Sequence, residues 1–274
     1  MYIKIQSYLG FQTGLKKQRQ FPCRKNILAL SARILQTTLL WNSSLPWSIP
    51  LKIILSALLC CIVSASCVNA NATVNIGGTR LLYNGDKKEV SLSVNNPDST
   101  PYLIQTVVDN LTSDPKKPPF IITPPLYRLN GGKENLMRII MTGGLPQDKE
   151  SMFWLRVKAI PSAPREKNTL QIAVATSIKL IYRPTALKDI NVEKESGKLS
   201  WRVSGHKLEI TNPTPCFINF NEIILAGKKL QNVSYAAPGT TTTFDLPSGV
   251  NGGNLQFSVI SDFGAVGSLH STSV

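Results

Sequence analysis

Few residues in this chain are of a type that could do covalent chemistry. His206 and His270 are its two histidines, and Cys216 is its one cysteine after residue 70. Their spacing fits neither a metal-ligand set nor a nucleophile–base pair. No Ser/His/Asp set and no glycine-rich phosphate loop accompanies them. The chain is therefore read as no enzyme, without metal or cofactor. The chemistry that remains is binding. In Asn168–Pro184, Leu170, Ile172, Val174, Thr176, Ile178 and Leu180 recur with period two. That period sets bulky apolar side chains on one face of a pleated strand. Lys179 falls on the opposite face with Ala173, Ala175, Ser177 and Ile181. Such a strand fits two places. It can be the core strand of a β-sandwich, or an edge strand that lends backbone hydrogen bonds and aliphatic plugs to another protein's incomplete sheet. Alternation alone does not separate them.

The elements around this stretch are strands. Val74–Tyr83 opens the series, with a bend at Gly77-Gly78 and a turn at Asn84-Gly85-Asp86. Glu89–Val94, Pro101–Val108, Phe120–Leu129, Asn135–Met141 and Ser151–Ile160 follow. Thr123-Pro124-Pro125 marks an edge or a bulge, because proline donates nothing to a ladder, and it is compatible with a cis bond. No amphipathic helix is evident. Seven strands before a linker at Thr185–Asn191 suggest one immunoglobulin-like sandwich. A smaller β-domain follows, with strands near Leu199–Val203, Lys207–Thr211, Phe217–Leu225, Thr241–Phe244, Leu255–Ile260 and Gly267–Ser271.

Charge is uneven along the 274 residues. Eight of the 30 basic residues and none of the 16 acidic ones precede residue 71, which leaves 22 against 16 beyond it, a net charge of +6. No Lys/Arg run stands out there, so nucleic acid is not an expected partner. Lys52 precedes a 14-residue apolar run, Ile53–Ser66, of signal-peptide length and too short to span a bilayer comfortably. Val68-Asn69-Ala70 offers small residues for cleavage, giving a mature start at Asn71 with no stable membrane insertion afterwards; an uncleaved anchor is the main alternative, and Ser64-Ala65-Ser66-Cys67 lacks the aliphatic residue that a lipoprotein signal has three before its cysteine. The basic segment before the run is read as an over-long start or an extended leader. Four of the five cysteines lie in residues 1–70. The exported part thus has no internal disulfide and depends on its core.

Leu145–Ser162, LPQDKESMFWLRVKAIPS, is flanked by ITPPLYRL upstream and IKLIYRP downstream. Together these resemble the periplasmic pilus chaperones of the chaperone–usher pathway. The resemblance is strong over Val74–Ala186. It is weaker beyond, through ITNPTP (Ile210–Pro215) and VISDFGA (Val259–Ala265). It implies an all-β protein of two immunoglobulin-like β-sandwich domains, 71–186 and 187–274, at an angle around a cleft, behind a leader of 1–70. It implies a periplasmic protein that binds, folds and caps pilus subunits by donating its edge strand, 168–182, and delivers them to an outer-membrane usher.

The same resemblance assigns site residues. Arg80 and Lys179 match the pair that anchors the subunit's C-terminal carboxylate; without it each is an ordinary solvated strand-end charge. Leu170, Ile172 and Val174 match the donor side chains. Glu150, Arg183 and Asp262 match an inter-domain ion network, expected to be partly exposed and to orient the domains more than stabilise them. Two positions depart. Arg156 stands where the family usually has Asn, and Cys216 where an aromatic is common. The loop Pro161–Lys167 is short and has no bracketing cysteines, as in the branch serving rod-type pili. A free donor edge rich in Leu, Ile and Val further suggests a self-capping dimer. The alternatives are a secreted immunoglobulin-like surface component, or a chaperone that has lost its activity.

Overall fold

The computed structural model describes residues 2–7, 74–112, 114–162 and 171–274. The rest of the expected leader, and Leu170 of the expected donor set, lie outside the described residues. The first part of the chain forms β1 (Tyr2–Ser7), β2 (Asn75–Ile76), β3 (Arg80–Asn84), β4 (Glu89–Asn96), β5 (Tyr102–Asn110), β6 (Phe120–Thr123), β7 (Leu126–Leu129), β8 (Lys133–Met141), β9 (Ser151–Pro161) and β10 (Ile172–Arg183). One sheet runs β1-β10-β9-β5-β7, with β3 parallel to β10, and packs on a second, β2-β4-β8-β6. Alternation drives this packing. Val94, Ile104, Met137, Ile139, Leu155 and Leu180 are fully buried between the sheets in one cluster.

The expected first strand is two strands, β2 and β3, broken at Gly77-Gly78. The stretch Phe120–Leu129 also divides, and its halves join different sheets. β6 ends the four-stranded sheet and β7 ends the other, so the Thr-Pro-Pro turn carries the chain across the sandwich. Both strands are edges, where a missing N–H costs least. The Thr123-Pro124 bond is cis.

After β10, where the sequence suggests a plain linker without helix, a 3-10 turn at Thr185–Leu187 leads into α1 (Val192–Ser196). Asn191 caps α1 by accepting the Lys194 N–H at 3.0 Å. One turn is too short for a periodic signal. The remaining chain forms β11 (Ser200–Ser204), β12 (Lys207–Asn212), β13 (Ile218–Leu225), β14 (Lys228–Lys229), β15 (Tyr235–Ala236), β16 (Thr240–Asp245), β17 (Asn254–Ile260) and β18 (Val266–Ser273). β11-β12-β16 packs on β14-β13-β17-β18, and β15 also pairs with β13. Leu208, Ile210, Ile218, Ile223 and Leu255 are fully buried between them. The short strands β14 and β15 are additions to the sequence reading.

Candidate functional site

β10 is the element from which the site is built, because its two faces serve two structures. Ile178, Leu180 and Tyr182 point into the core of the first sandwich. Lys179, Ile181 and Arg183 alternate with them and meet the second sandwich. Ile181 joins Met152 and Phe217 in an apolar cluster shared by the two sandwiches.

Parallel pairing of β3 with β10 sets Arg80 directly opposite Lys179. Two cations 99 positions apart in sequence thus become neighbours on adjacent strands. They line a cleft of about 470 Å³ with Trp154, Phe220 and Tyr235. Neither is the solvated strand-end charge that each resembles in isolation. Arg80 donates from Nη1 to the Ile260 carbonyl at 3.2 Å. Its Nε is buried and has no hydrogen-bond partner among the described residues. Lys179 Nζ donates to Asn219 Oδ1 at 2.5 Å and lies 5.2 Å from the Tyr235 ring centroid. Burial, and then the nearby Arg80 charge, pull the Lys179 ammonium down to about 8. Burial likewise lowers Arg80, against the opposing charge of Asp262. Among the described residues neither cation is in an ion pair, so the cleft holds two cations with donors to spare. A carboxylate entering it would gain charge-assisted hydrogen bonds from both.

Below the cleft, Arg183 binds a carboxylate from each sandwich. Its Nε donates to Glu150 Oε1 at 2.7 Å. Nη1 and Nη2 donate to the two oxygens of Asp262, each at 2.7 Å. Glu150 crosses to the second sandwich as well, with Oε2 accepting the Phe217 N–H at 2.8 Å and its own N–H donating to the Pro215 carbonyl at 2.9 Å. The expected partial exposure holds for Asp262, at 19%, and not for the other two members. The side chains of Arg183 and Glu150 are 3% and 1% exposed. Burial works to lower Arg183, but its bonds to Asp262 and Glu150 outweigh that and leave it above its ordinary value. Burial pushes the Glu150 carboxyl up, against the pull of Arg183 and the Phe217 amide. A buried, fully bonded network of this kind fixes geometry, and losing one member strands the others. Gly264, in the same loop as Asp262, has φ +88 and passes too close to Thr79 Oγ1 for any side chain.

Toward its start, β10 leaves its own core. Ile178 is 1% exposed, Thr176 8%, Val174 half-buried and Ile172 41%. The core-facing row therefore continues past the core that it could fill. Along this stretch the outer edge of β10 pairs antiparallel with β1, from Tyr2↔Ser177 to Ser7↔Ile172. Arg156 sits on β9 opposite Ser177 and makes a 3.1 Å ion pair with Asp109, with both side chains about half-exposed. Cys216 is buried, and burial pushes its thiol up to about 12.

The structure thus brings together Arg80 with Lys179, and Glu150 with Arg183 and Asp262. It places Ile172 and Val174 at the start of β10, where the strand leaves its core. Asn219 and Tyr235 escape the sequence reading. Asn219 carries a weak signal, as the one polar side chain in the run Phe217-Ile218-Asn219-Phe220, where a buried amide demands a partner. Tyr235, in a two-residue strand between loops, carries none.

Residues 73–188 match the family model described as pili and flagellar-assembly chaperone, PapD N-terminal domain. Residues 194–271 match pili assembly chaperone PapD, C-terminal domain. The chain is 42% identical over 198 residues to the probable fimbrial chaperone LpfB of Escherichia coli O157:H7, covering 70% of this chain and 84% of that protein. It is 40% identical over 203 residues to chaperone protein FimC of Escherichia coli K12, covering 72% and 83%. A chain in the complex of the Salmonella enterica SafA pilin with the SafB chaperone aligns with TM-score 0.69 at 31% identity, covering 76% of this chain and 99% of that one. The Escherichia coli chaperone DraB aligns with TM-score 0.66 at 34% identity, covering 73% and 95%.

Proposed function

The chain belongs to the PapD family of pili-assembly chaperones, and we propose that Arg80 and Lys179 anchor the C-terminal carboxylate of a pilus subunit while β10 completes that subunit's sheet. The family is one of periplasmic chaperones, and a chaperone of pilus assembly is what this protein is. The observation that carries the site reading is the pair of adjacent cations, in no ion pair among the described residues, on a strand whose apolar row outruns its own core.

This reading gives capture a direction. A segment that ends at Lys179 and pairs along Ile172–Ser177 runs parallel to β10. Its register is set by the carboxylate, since a one-residue slip would turn every side chain to the wrong face. Ile172 and Val174, with Leu170 beyond them, become the plugs. Glu150, Arg183 and Asp262 hold the second sandwich at the angle that keeps the anchor open. The protein reaches the periplasm through a signal cleaved near Ala70-Asn71 and passes its subunit to an outer-membrane usher. Removal of the leader takes β1 off the edge of β10, and the bare edge pairs with a second copy until a subunit arrives.

The test is calorimetry on the protein purified from the periplasm of an expressing host. The titrants are two peptides of a pilus subunit's last strand, one ending in a free carboxylate and one in an amide. The free acid should bind at least about tenfold more tightly, a difference of ~1.4 kcal/mol. Equal affinities would overturn the anchor.

A further inference from the structure

We propose that Asn219 and Tyr235, from the second sandwich, are positioning residues that hold the Lys179 ammonium beside Arg80 without neutralising it. The proposal rests on the reading that Lys179 receives the subunit's terminal carboxylate.

The two residues are direct cross-strand partners, Asn219 on β13 and Tyr235 on β15. Asn219 is 1% exposed. Its Oδ1 accepts from Lys179 Nζ, and its Nδ2 reaches the Phe217 carbonyl only at 3.5 Å. The amide is thus turned so that its acceptor faces the cation. The Tyr235 ring offers its face to the same ammonium and packs edge-on against Phe217, with ring centroids 5.7 Å apart. Phe217 is the residue whose backbone N–H binds Glu150. The cradle is therefore continuous with the network that joins the two sandwiches.

The chemistry of the cradle explains its residue types. An ammonium has three donors. Asn219 takes one, and an aromatic face attracts the charge without accepting through a lone pair. At least one donor remains for an incoming carboxylate. A carboxylate at position 219 would hold the lysine as firmly, but it would close an ion pair and compete with the ligand. A neutral amide and a π-face fix the position and leave the charge. The charged and titratable groups facing Lys179 are Arg80 from β3 and the Tyr235 phenol from β15, with the neutral Trp154 opposite on β9. The carboxylates of Asp262 and Glu150 are already bound by Arg183. Lys179 itself belongs to the strand that captures the subunit. The register of capture is in this way set from the opposite sandwich.

The variants are Asn219→Asp, Asn219→Ala and Tyr235→Leu, in protein purified from the periplasm. The first readout is the titration of the Lys179 side chain by nuclear magnetic resonance of lysine-labelled protein without subunit. The second is the affinity ratio of the free-acid and amide peptides. Asn219→Asp should raise the proton affinity of Lys179 at least about tenfold, one pKa unit, and lower the acid-over-amide ratio by a similar factor. Asn219→Ala and Tyr235→Leu should lower the proton affinity and also lower the ratio. A merely structural role would leave the titration unmoved in Asn219→Ala and Tyr235→Leu, which add no charge. If wild type discriminates acid from amide but no variant shifts the titration or the ratio, the cradle is overturned and the anchor stands. If wild type binds acid and amide alike, the anchor fails, and with it the purpose of the cradle. Should Asn219→Asp not fold, Tyr235→Leu decides alone, because it adds no charge.

Discussion

Lys179→Met is the substitution whose outcome separates binding from stability most clearly. Lysine at this site titrates at about 8 against 10.5 in the unfolded chain. A fall of about 2.5 units corresponds to ~3 kcal/mol at ~1.36 kcal/mol per unit. Solvent access to the cleft reduces this to about 2 kcal/mol. Below pH 8 the folded and unfolded states both carry the proton, so the folded state bears the full cost of a buried charge. Between about 8 and 10.5 the unfolded chain binds more protons than the folded one, and stability rises with pH. Methionine removes the charge and most of this dependence. It also leaves Asn219 Oδ1 without its partner, a pH-independent loss of about 1–3 kcal/mol. The observable is therefore a difference of differences. Relative to wild type, the variant should be about 2 kcal/mol better placed near pH 7 than near pH 10.5 in urea unfolding of the periplasmic protein. In melting temperature this is about 4–8 °C for a chain of this size. The same variant should lose the preference for a free-acid peptide. A relative stability equal at the two pH values to within ~0.5 kcal/mol would refute the burial of a charged Lys179.

Arg183→Met should destabilise by about 3–5 kcal/mol, because Glu150 is left buried without its counter-charge; unfolding curves measure it, and a loss under ~1 kcal/mol would place the network in the class of surface pairs. Ile172→Asp should change stability by no more than about 0.5 kcal/mol, since the side chain is 41% exposed, yet abolish subunit capture in co-purification; retained capture would remove Ile172 from the donor row. Subunit-free protein without residues 1–70 should sediment as a concentration-dependent dimer, and Ile172→Asp should shift it to monomer. A monomer at every concentration would rule out self-capping.

Much of the fold is legible because buried strands write a period of two into the sequence. β4, β8, β9 and β10 are found within a few residues on that ground, and Gly-Gly and Pro-Pro positions mark where strands break. The destination of a strand after a break is not written locally. The halves of Phe120–Leu129 join different sheets, and only sheet pairing decides that. At the site, the resemblance supplies Arg80, Lys179, Glu150, Arg183 and Asp262 by motif. It does not supply their environment. Burial of Arg183 and Glu150 comes from packing between sandwiches, and of the three only Asp262 keeps the partial exposure expected of charged residues at strand ends. Asn219 and Tyr235 meet only through pairing of β13 with β15, and they reach Lys179 only across the cleft. No period or spacing records such a contact. The short helix α1 escapes for the plain reason that one turn has no repeat.

In the proposed function β10 captures a subunit and Lys179 fixes its end. The direct measurement is co-purification from the periplasm of a pilus subunit with wild-type protein and with Lys179→Ala, both checked for folding by circular dichroism. Wild type should give a stoichiometric complex and a well-folded variant none. A variant that folds and still brings down the subunit at wild-type yield would contradict it.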